Sequence, residues 1–403
     1  MTDWPDLFRR EYPAIVASLV KRLGRARLDL AEDATQEAMT RAVADWRVKG
    51  PPERPGAWLS SVAWRCAIDA LRQSSREQDE LPPDPPAAPA ADPPSIPDDA
   101  LRLLFLCSHP SLPREDQVAL TLKAACGFGT SEIARAFFLD EAALAQRLVR
   151  AKRRLREEGA SFEVPAAEEL PSRLDAVLDV IYLAFNEGYT PRDEEETLRG
   201  DLALEALRLA RLAAPLAPRA EALAALLCFQ SSRFAARISQ AGELLPLEEQ
   251  DRAKWDRARI AEGFGRLAAA GRGDAISEYH LLAGIAACHA TSPDLAATDW
   301  TRIASLYSEL ERRTPTWLVR LNRAVAISYA DGPLAGLAAI EALPPAPGGA
   351  SYLAQAGRAD ALRRANRPAE AAAACRAAAA ASPTGAERKF FERKCELLLR
   401  QST

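Results

Sequence analysis

A chain of 403 residues is longer than one typical domain and has room for roughly two to four, each able to bury its own core. Alanine, leucine, arginine and glutamate dominate, aromatics make up 6%, and apolar residues recur every three or four positions; an almost wholly helical, all-α protein is expected, with no convincing strand. A formal charge of -4 excludes a chain that grips polyanions along its whole surface, so any nucleic-acid contact must be local. Seven scattered cysteines without a C-x-x-C spacing, and no secretory or membrane-spanning run, fit a reducing cytoplasm and no membrane partner.

The first helical block runs to about residue 80. Within it Ala31, Ala34, Ala38, Ala42 and Trp46 share one helical face and predict its burial. The opposite face carries Asp33, Gln36, Glu37 and Thr40, a polar stripe that suits a solvated surface as well as a docking one. The next helix, Gly56 to Arg72, places Leu59, Ala63, Cys66 and Ala70 on one apolar arc and Trp64, Ile68 and Leu71 on another. Its remaining arc presents Trp58, Ser61, Arg65, Asp69 and Arg72. Aromatic and basic groups side by side suit unpaired bases, whose rings stack while cations hold the backbone; a structural tryptophan among solvated arginines is the equal alternative.

At this point a resemblance enters. "LDLAEDATQEAMTRAVADW" followed by "GAWLSSVAWRCAIDALR" resembles region two of the extracytoplasmic-function sigma factors over about sixty residues. The resemblance implies that Asp33, Gln36, Glu37, Thr40 and Arg41 dock on the clamp helices of the RNA polymerase beta-prime subunit. It also implies that the loop Arg47 to Pro55, with Trp58, Ser61, Trp64, Arg65, Asp69 and Arg72, captures a flipped base of the minus-ten promoter element. The chain has Trp64-Arg65 where the family usually has Arg-Asn.

Residues 81–97 crowd prolines among Ala and Asp and read as a semi-extended linker. A second block, 98–160, ends in the basic run Lys152-Arg153-Arg154-Leu155-Arg156. Inside it Thr130 to Arg156 reads as a helix-turn-helix, with Thr130 capping a short helix buried through Ile133, Ala134 and Phe137, and Asp140 capping a longer one. Leu144, Leu148, Ala151 and Leu155 form the buried stripe of the longer helix. Gln146, Arg147, Arg150, Arg153 and Arg154 remain outside, a guanidinium-rich arc suited to the major groove. The segment resembles region four of the same sigma factors, whose recognition helix binds the minus-thirty-five element and whose docking partner is the polymerase beta flap. Phe138 replaces the usual turn glycine, and Ala143 and Ala145 stand where Thr and Lys are common.

Residues 161–315 read as a helical extension and 316–403 as tetratricopeptide-like repeats. From Trp317 the ladder runs through Ala324, Ile327, Gly336 and Ile340; from Tyr352 it runs through Ala359, Leu362, Ala371, Cys375, Ala378 and Pro383. Ordinary alanine-rich hairpins are the alternative, and Tyr279 to Pro315 fits a third, degenerate unit. "LDAVLDVIYLAFNEGY" and "EEQDRAKWDRARIAEG" resemble the extension of a sigma-factor subgroup. Asn186-Glu187-Gly188-Tyr189 predicts a helix ending at Gly188, against which Asp251, Trp255 and Asp256 can pack. The acidic run 193–196 reads as a helix start.

No catalytic constellation emerges. His109, His280 and His289 are far apart, and Cys107 with His109, or Cys288 with His289, lacks the further ligands of a zinc site. No nucleotide-binding glycine loop is present, so neither enzymatic activity nor a cofactor or metal is expected. The sequence therefore points to core RNA polymerase and promoter DNA as partners, with the repeats as a protein-binding or intramolecular surface. The alternative is a helix-turn-helix regulator with a repeat-based sensor.

Overall fold

The computed structural model describes residues 4–24, 27–77, 96–137, 139–160, 162–163, 165–189, 200–237, 239, 245–273, 275–347, 350–383 and 385–400. Among these the protein is all-α, without a strand. Two units separate, Met1–Glu187 and Gly188–Thr403. The proline-rich segment 81–95, Phe138 and the acidic run 193–196 lie outside the described residues.

The first unit opens with three helices, α1 (Trp4–Leu23), α2 (Leu28–Lys49) and α3 (Pro55–Glu77). The alanine face of α2 is buried as its spacing predicts: Ala31, Ala38 and Ala42 are fully enclosed and Trp46 is 3% exposed. α2 extends through Arg47 to Lys49, so the loop before α3 is shorter than the expected Arg47 to Pro55 and begins at Gly50. In α3, Leu59, Ala63 and Cys66 are buried, while Ala70, expected on the same arc, is exposed.

Four further helices follow: α4 (Ile96–Cys107), α5 (Arg114–Leu120), α6 (Thr130–Phe137) and α7 (Glu141–Glu157). Between α5 and α6 the chain widens into a π-helical turn, Thr121–Ala125, where Cys126 N–H reaches the Thr121 carbonyl at 3.1 Å. Such widening rotates side chains relative to a regular helix; here Leu122, Ala124 and Ala125 stay buried. α6 is capped differently from the sequence expectation: the Glu132 carboxylate accepts from Gly129 N–H at 2.6 Å, and Thr130 is already helical. Asp140 does cap α7, accepting from Ala143 N–H at 2.9 Å. α8 (Leu170–Tyr189) follows, its last two residues belonging to the second unit, and its first half meets the second block through Arg173, which donates to the Phe105 carbonyl at 2.8 Å, and through an Arg114–Asp179 ion pair. α8 passes through Gly188 and ends at Tyr189 instead of stopping at the glycine.

The second unit contains α9 (Gly200–Ala213), α10 (Pro218–Ser231), α11 (Arg257–Ala270), α12 (Glu278–Thr291) and α13 (Trp300–Arg313), then α14 (Trp317–Ala330), α15 (Pro333–Glu341), α16 (Ser351–Arg364), α17 (Pro368–Ala381) and α18 (Gly385–Arg400). Ten of the fourteen residues of α10 are buried, so this helix is apolar all round and packs against α9, α11 and α12. Glu262 of α11 is clamped between Arg211 of α9, at 2.5 Å, and Arg266, at 2.8 Å, and these hydrogen bonds hold its carboxyl at about 2.

From α14 onward each helix packs on the next. The ladder positions Ala324, Gly336, Ile340, Ala359, Leu362, Ala371, Cys375 and Ala378 are buried, and Ile327 is half-buried. Gly336 marks where two helices touch: a Cβ there would lie 2.5 Å from the Ser328 Cα. Asn366, at φ 57°, ends α16 in the left-handed conformation that asparagine tolerates.

Candidate nucleic-acid interface

On α2, Asp33, Gln36, Glu37, Thr40 and Arg41 all face solvent because they sit opposite the alanine stripe. Glu37 and Arg41 pair at 2.8 Å, and Thr40 donates to the Gln36 carbonyl at 3.0 Å. At 50% and 53% side-chain exposure the pair is cheap to exchange for partners on another protein.

On α3, Ser61, Arg65, Asp69 and Arg72 are exposed on one arc. Arg72 lies 3.9 Å from Asp69, and Arg65 Nε donates to the Ser61 carbonyl at 3.4 Å. Trp58 is half-buried, its ring 5.4 Å from that of Trp46, which also meets Trp4 and Phe8. The aromatic edge beside the basic arc is therefore anchored from below. Trp64 belongs elsewhere: it is 7% exposed, with the Arg22 guanidinium stacked 3.4 Å from its ring centroid. Its place among the base-contacting residues is corrected, since the apolar arc it shares with Ile68 and Leu71 turns it inward.

On α7 the stripe Leu144, Leu148, Ala151 and Leu155 is buried, at 5% exposure or less. Gln146, Arg150, Arg153 and Arg154 are exposed. Arg153 lies 3.5 Å from Glu157, and among the described residues no carboxylate pairs with Arg150 or Arg154. Arg147 differs from its neighbours. It is half-buried and gives two hydrogen bonds, 3.0 and 2.7 Å, to Asp116 of α5. That makes it a brace between helices before it is a contact for anything outside. Val149, 61% exposed between Gln146 and Arg150, adds an apolar spot to this arc that charge alone does not mark. An exposed aliphatic group on such an arc matches a thymine methyl.

Sequence reasoning also missed a buried charge cluster that joins the two blocks. Lys152 of α7, 11% exposed, pairs with Glu32 of α2, whose carboxylate is 3% exposed, and reaches Asp29 at 2.9 Å. Arg156 adds a longer contact to Asp29 at 3.8 Å. Burial pushes the Glu32 carboxyl upward, and Lys152 offsets part of the shift. For Lys152 burial acts downward, but Glu32 and Asp29 outweigh it and hold the ammonium above its ordinary value. Around the cluster Lys21 of α1 binds Asp99 of α4 at 3.1 Å, and Gly127, at φ +74°, lies against the Tyr12 ring. One signal was available: Glu32 falls between Leu28 and Thr35 on the buried arc of α2, whereas its partner lies 120 residues away.

Outside this region, His109 Nδ1 meets the Ser111 hydroxyl at 2.8 Å and His280 Nδ1 accepts from Ser277 N–H at 3.1 Å. No three His, Cys, Asp or Glu side chains among the described residues are grouped to hold a metal ion. No helix among them is long and apolar enough to cross a membrane.

Three family models match the chain. Sigma-70 region 2 covers residues 7–77, and Sigma-70, region 4 covers residues 102–155. A family of unknown function, DUF6596, covers 173–271. An uncharacterized protein of Rhizobium meliloti (strain 1021) is 42% identical over 360 residues, spanning 85% of this chain and 84% of that one. No solved structure matches.

Proposed function

Because this chain belongs to the sigma factors of the extracytoplasmic-function type, with a helical C-terminal extension, we propose specific surfaces for the binding of core RNA polymerase and promoter DNA by which it directs transcription initiation. Residues 1–80 and 98–160 are the two working modules, 81–97 the linker, 161–315 the extension and 316–403 its repeats. The exposed face Asp33, Gln36, Glu37, Thr40 and Arg41 meets the beta-prime clamp, and the second module meets the beta flap. Trp58, Ser61, Arg65, Asp69 and Arg72 serve the minus-ten element. Gln146, Val149, Arg150, Arg153 and Arg154 serve the minus-thirty-five element, with Arg147 holding the helix in place. The chain works in the cytoplasm, where the polymerase is, and the extension modulates its activity through the repeat surface.

The observation that carries this reading is the pairing of exposed polar arcs with buried stripes on α2, α3 and α7, each on the helix that the family models cover. The two modules pack together in the first unit, an arrangement we read as a closed form. In this reading the Lys152 contact, which ties α7 to the start of α2, opens when both elements are engaged.

Run-off transcription with purified core polymerase and the full-length protein tests the assignment. Promoter-dependent transcripts are expected, reduced when Gln36 and Glu37 are both changed to alanine. Equal initiation with and without the protein on every template from its own genome would remove the reading.

A further inference from the structure

In the second unit a cluster of arginines serves none of the roles assigned above. Tyr189 and Trp255, which the sequence brings into one neighbourhood, are joined by guanidinium groups. Arg237 Cζ lies 3.6 Å from the Tyr189 ring centroid, and its Nη1 donates to the Tyr189 carbonyl at 2.9 Å. Arg233 stands between the rings, 5.9 Å from Tyr189 and 5.8 Å from Trp255, and donates to the Tyr189 hydroxyl. Arg252 stacks 4.7 Å from Trp255 and donates to the carbonyls of His289 and Ser292 at 2.5 and 2.7 Å. Asp251 and Asp256, expected to pack here, instead serve as caps, Asp251 accepting from Ala253 N–H at a short turn and Asp256 from Arg259 N–H at the start of α11.

Arg233 thus stands between two further cations and acts on both, and Arg237 and Arg252 are each only 9% exposed. Among the described residues no carboxylate forms an ion pair with any of them; Asp294 acts on Arg252 from a distance. Their hydrogen bonds to described residues go to neutral oxygens, so no carboxylate there meets them directly. Buried cations are costly without a counter-charge, and proteins seldom assemble three. A second observation is independent of the charges. Arg252 Nη2, Trp255 Nε1 and His289 Nδ1 are buried with no hydrogen-bond partner among the described residues. Burial, with Arg233 and Arg252 nearby, pulls the His289 imidazole down to about 4, so its ring is neutral and offers one N–H. Orphaned donors of this kind call for an acceptor that the protein chain does not supply.

We propose that Arg233, Arg237, Arg252, Trp255 and His289 form a binding site for the phosphate group of a small molecule. Stacking on Tyr189 and Trp255 fixes the guanidinium planes while leaving their edges free to donate. A phosphate carries close to two negative charges and three acceptor oxygens, a better match to three cations and two neutral N–H groups than one carboxylate. Arg233, the most exposed of the three, is the one nearest solvent. The bound group ties Tyr189, the turn before α11 and α12 into one body. Its residues all belong to the second unit and the residues proposed for polymerase and promoter to the first, so a negative result here leaves that proposal untouched.

Isothermal titration of the full-length protein at constant ionic strength tests it, with inorganic phosphate and glycerol 3-phosphate as separate probes and succinate as the carboxylate comparison. Saturable one-site binding is expected, and the tighter of the two phosphate probes tells whether the free ion or an ester is preferred. Arg233→Gln should weaken binding about tenfold or more, as should Arg252→Gln where it folds, and Arg312→Gln on α13 should not. Arg233→Lys keeps the charge but loses the fork, and is also expected to bind more weakly. No saturable heat with either phosphate probe up to about 10 mM, tighter binding of succinate, or unchanged binding by folded Arg233→Gln would overturn the proposal.

Discussion

Replacing Lys152 by methionine keeps the length of the side chain and removes the cation that neutralises Glu32. The Glu32 carboxylate is 3% exposed, so the partner it loses cannot be replaced by water. Breaking a buried pair from one side costs about 3 to 5 kcal/mol. Here the cost falls at the lower end, because Glu32 can take up a proton, at about 1.4 kcal/mol per pH unit, and Asp29, 42% exposed, returns to solvent cheaply. Loosening of the two sigma modules by about 3 kcal/mol changes the ratio of closed to open forms by roughly two orders of magnitude. Small-angle scattering should then report a larger radius of gyration, and promoter fragments should bind more tightly to the free protein. Adding Glu32→Gln to the same chain removes the stranded charge and should restore most of the compactness. If Lys152→Met changes neither radius nor promoter affinity, or if the double variant is as open as the single one, the pair does not hold the modules closed. The pH dependence has a definite sign. Lys152 is held above its ordinary value in the closed form, so its contribution is complete below about pH 10.4 and is lost as pH rises through the higher, bound value.

Other changes separate structural from contacting residues. Trp64→Ala should cost about 3 to 5 kcal/mol in denaturant melts, whereas Arg65→Ala should stay within about 0.5 kcal/mol and weaken promoter binding. Gly336→Ala drives a methyl into the Ser328 backbone and should destabilise the second unit by about 1 to 3 kcal/mol, read from the urea midpoint. Arg147→Gln should lower the melting temperature through loss of the Asp116 brace, with a smaller effect on sequence preference than Arg150→Gln, measured by DNA competition. His289, depressed to about 4, contributes stability that is complete above about pH 6.5 and is lost as pH falls toward 4; His289→Gln should flatten that limb of the pH–stability curve.

What the sequence made legible was set by local periodicity. The alanine face of α2 and the leucine stripe of α7 follow from three- and four-residue spacing, and both are buried. Trp64 shows the limit of choosing residues by chemical type: its helical position placed it with Ile68 and Leu71, and position decided its fate. Thr130 looked like a cap, but the Glu132 side chain already served the Gly129 N–H, a competition that composition does not resolve. Glu32 with Lys152, and Arg233 with Tyr189 and Trp255, depend on segments distant in the chain, where no spacing rule operates. The π-helical turn at Thr121 has no signature in TLKAA that a periodic reading would register.

The all-round burial of α10 has a consequence for anyone shortening this protein. A helix enclosed on every side has no solvent face to fall back on, so removing α9, α11 or α12 strips part of its cover and exposes leucines to association with other chains. The stacked helices after Trp317 touch mainly their neighbours and can be trimmed from the C-terminal end a pair at a time. Deletion libraries should therefore show a graded series at one end of the extension and an abrupt loss of soluble protein at the other.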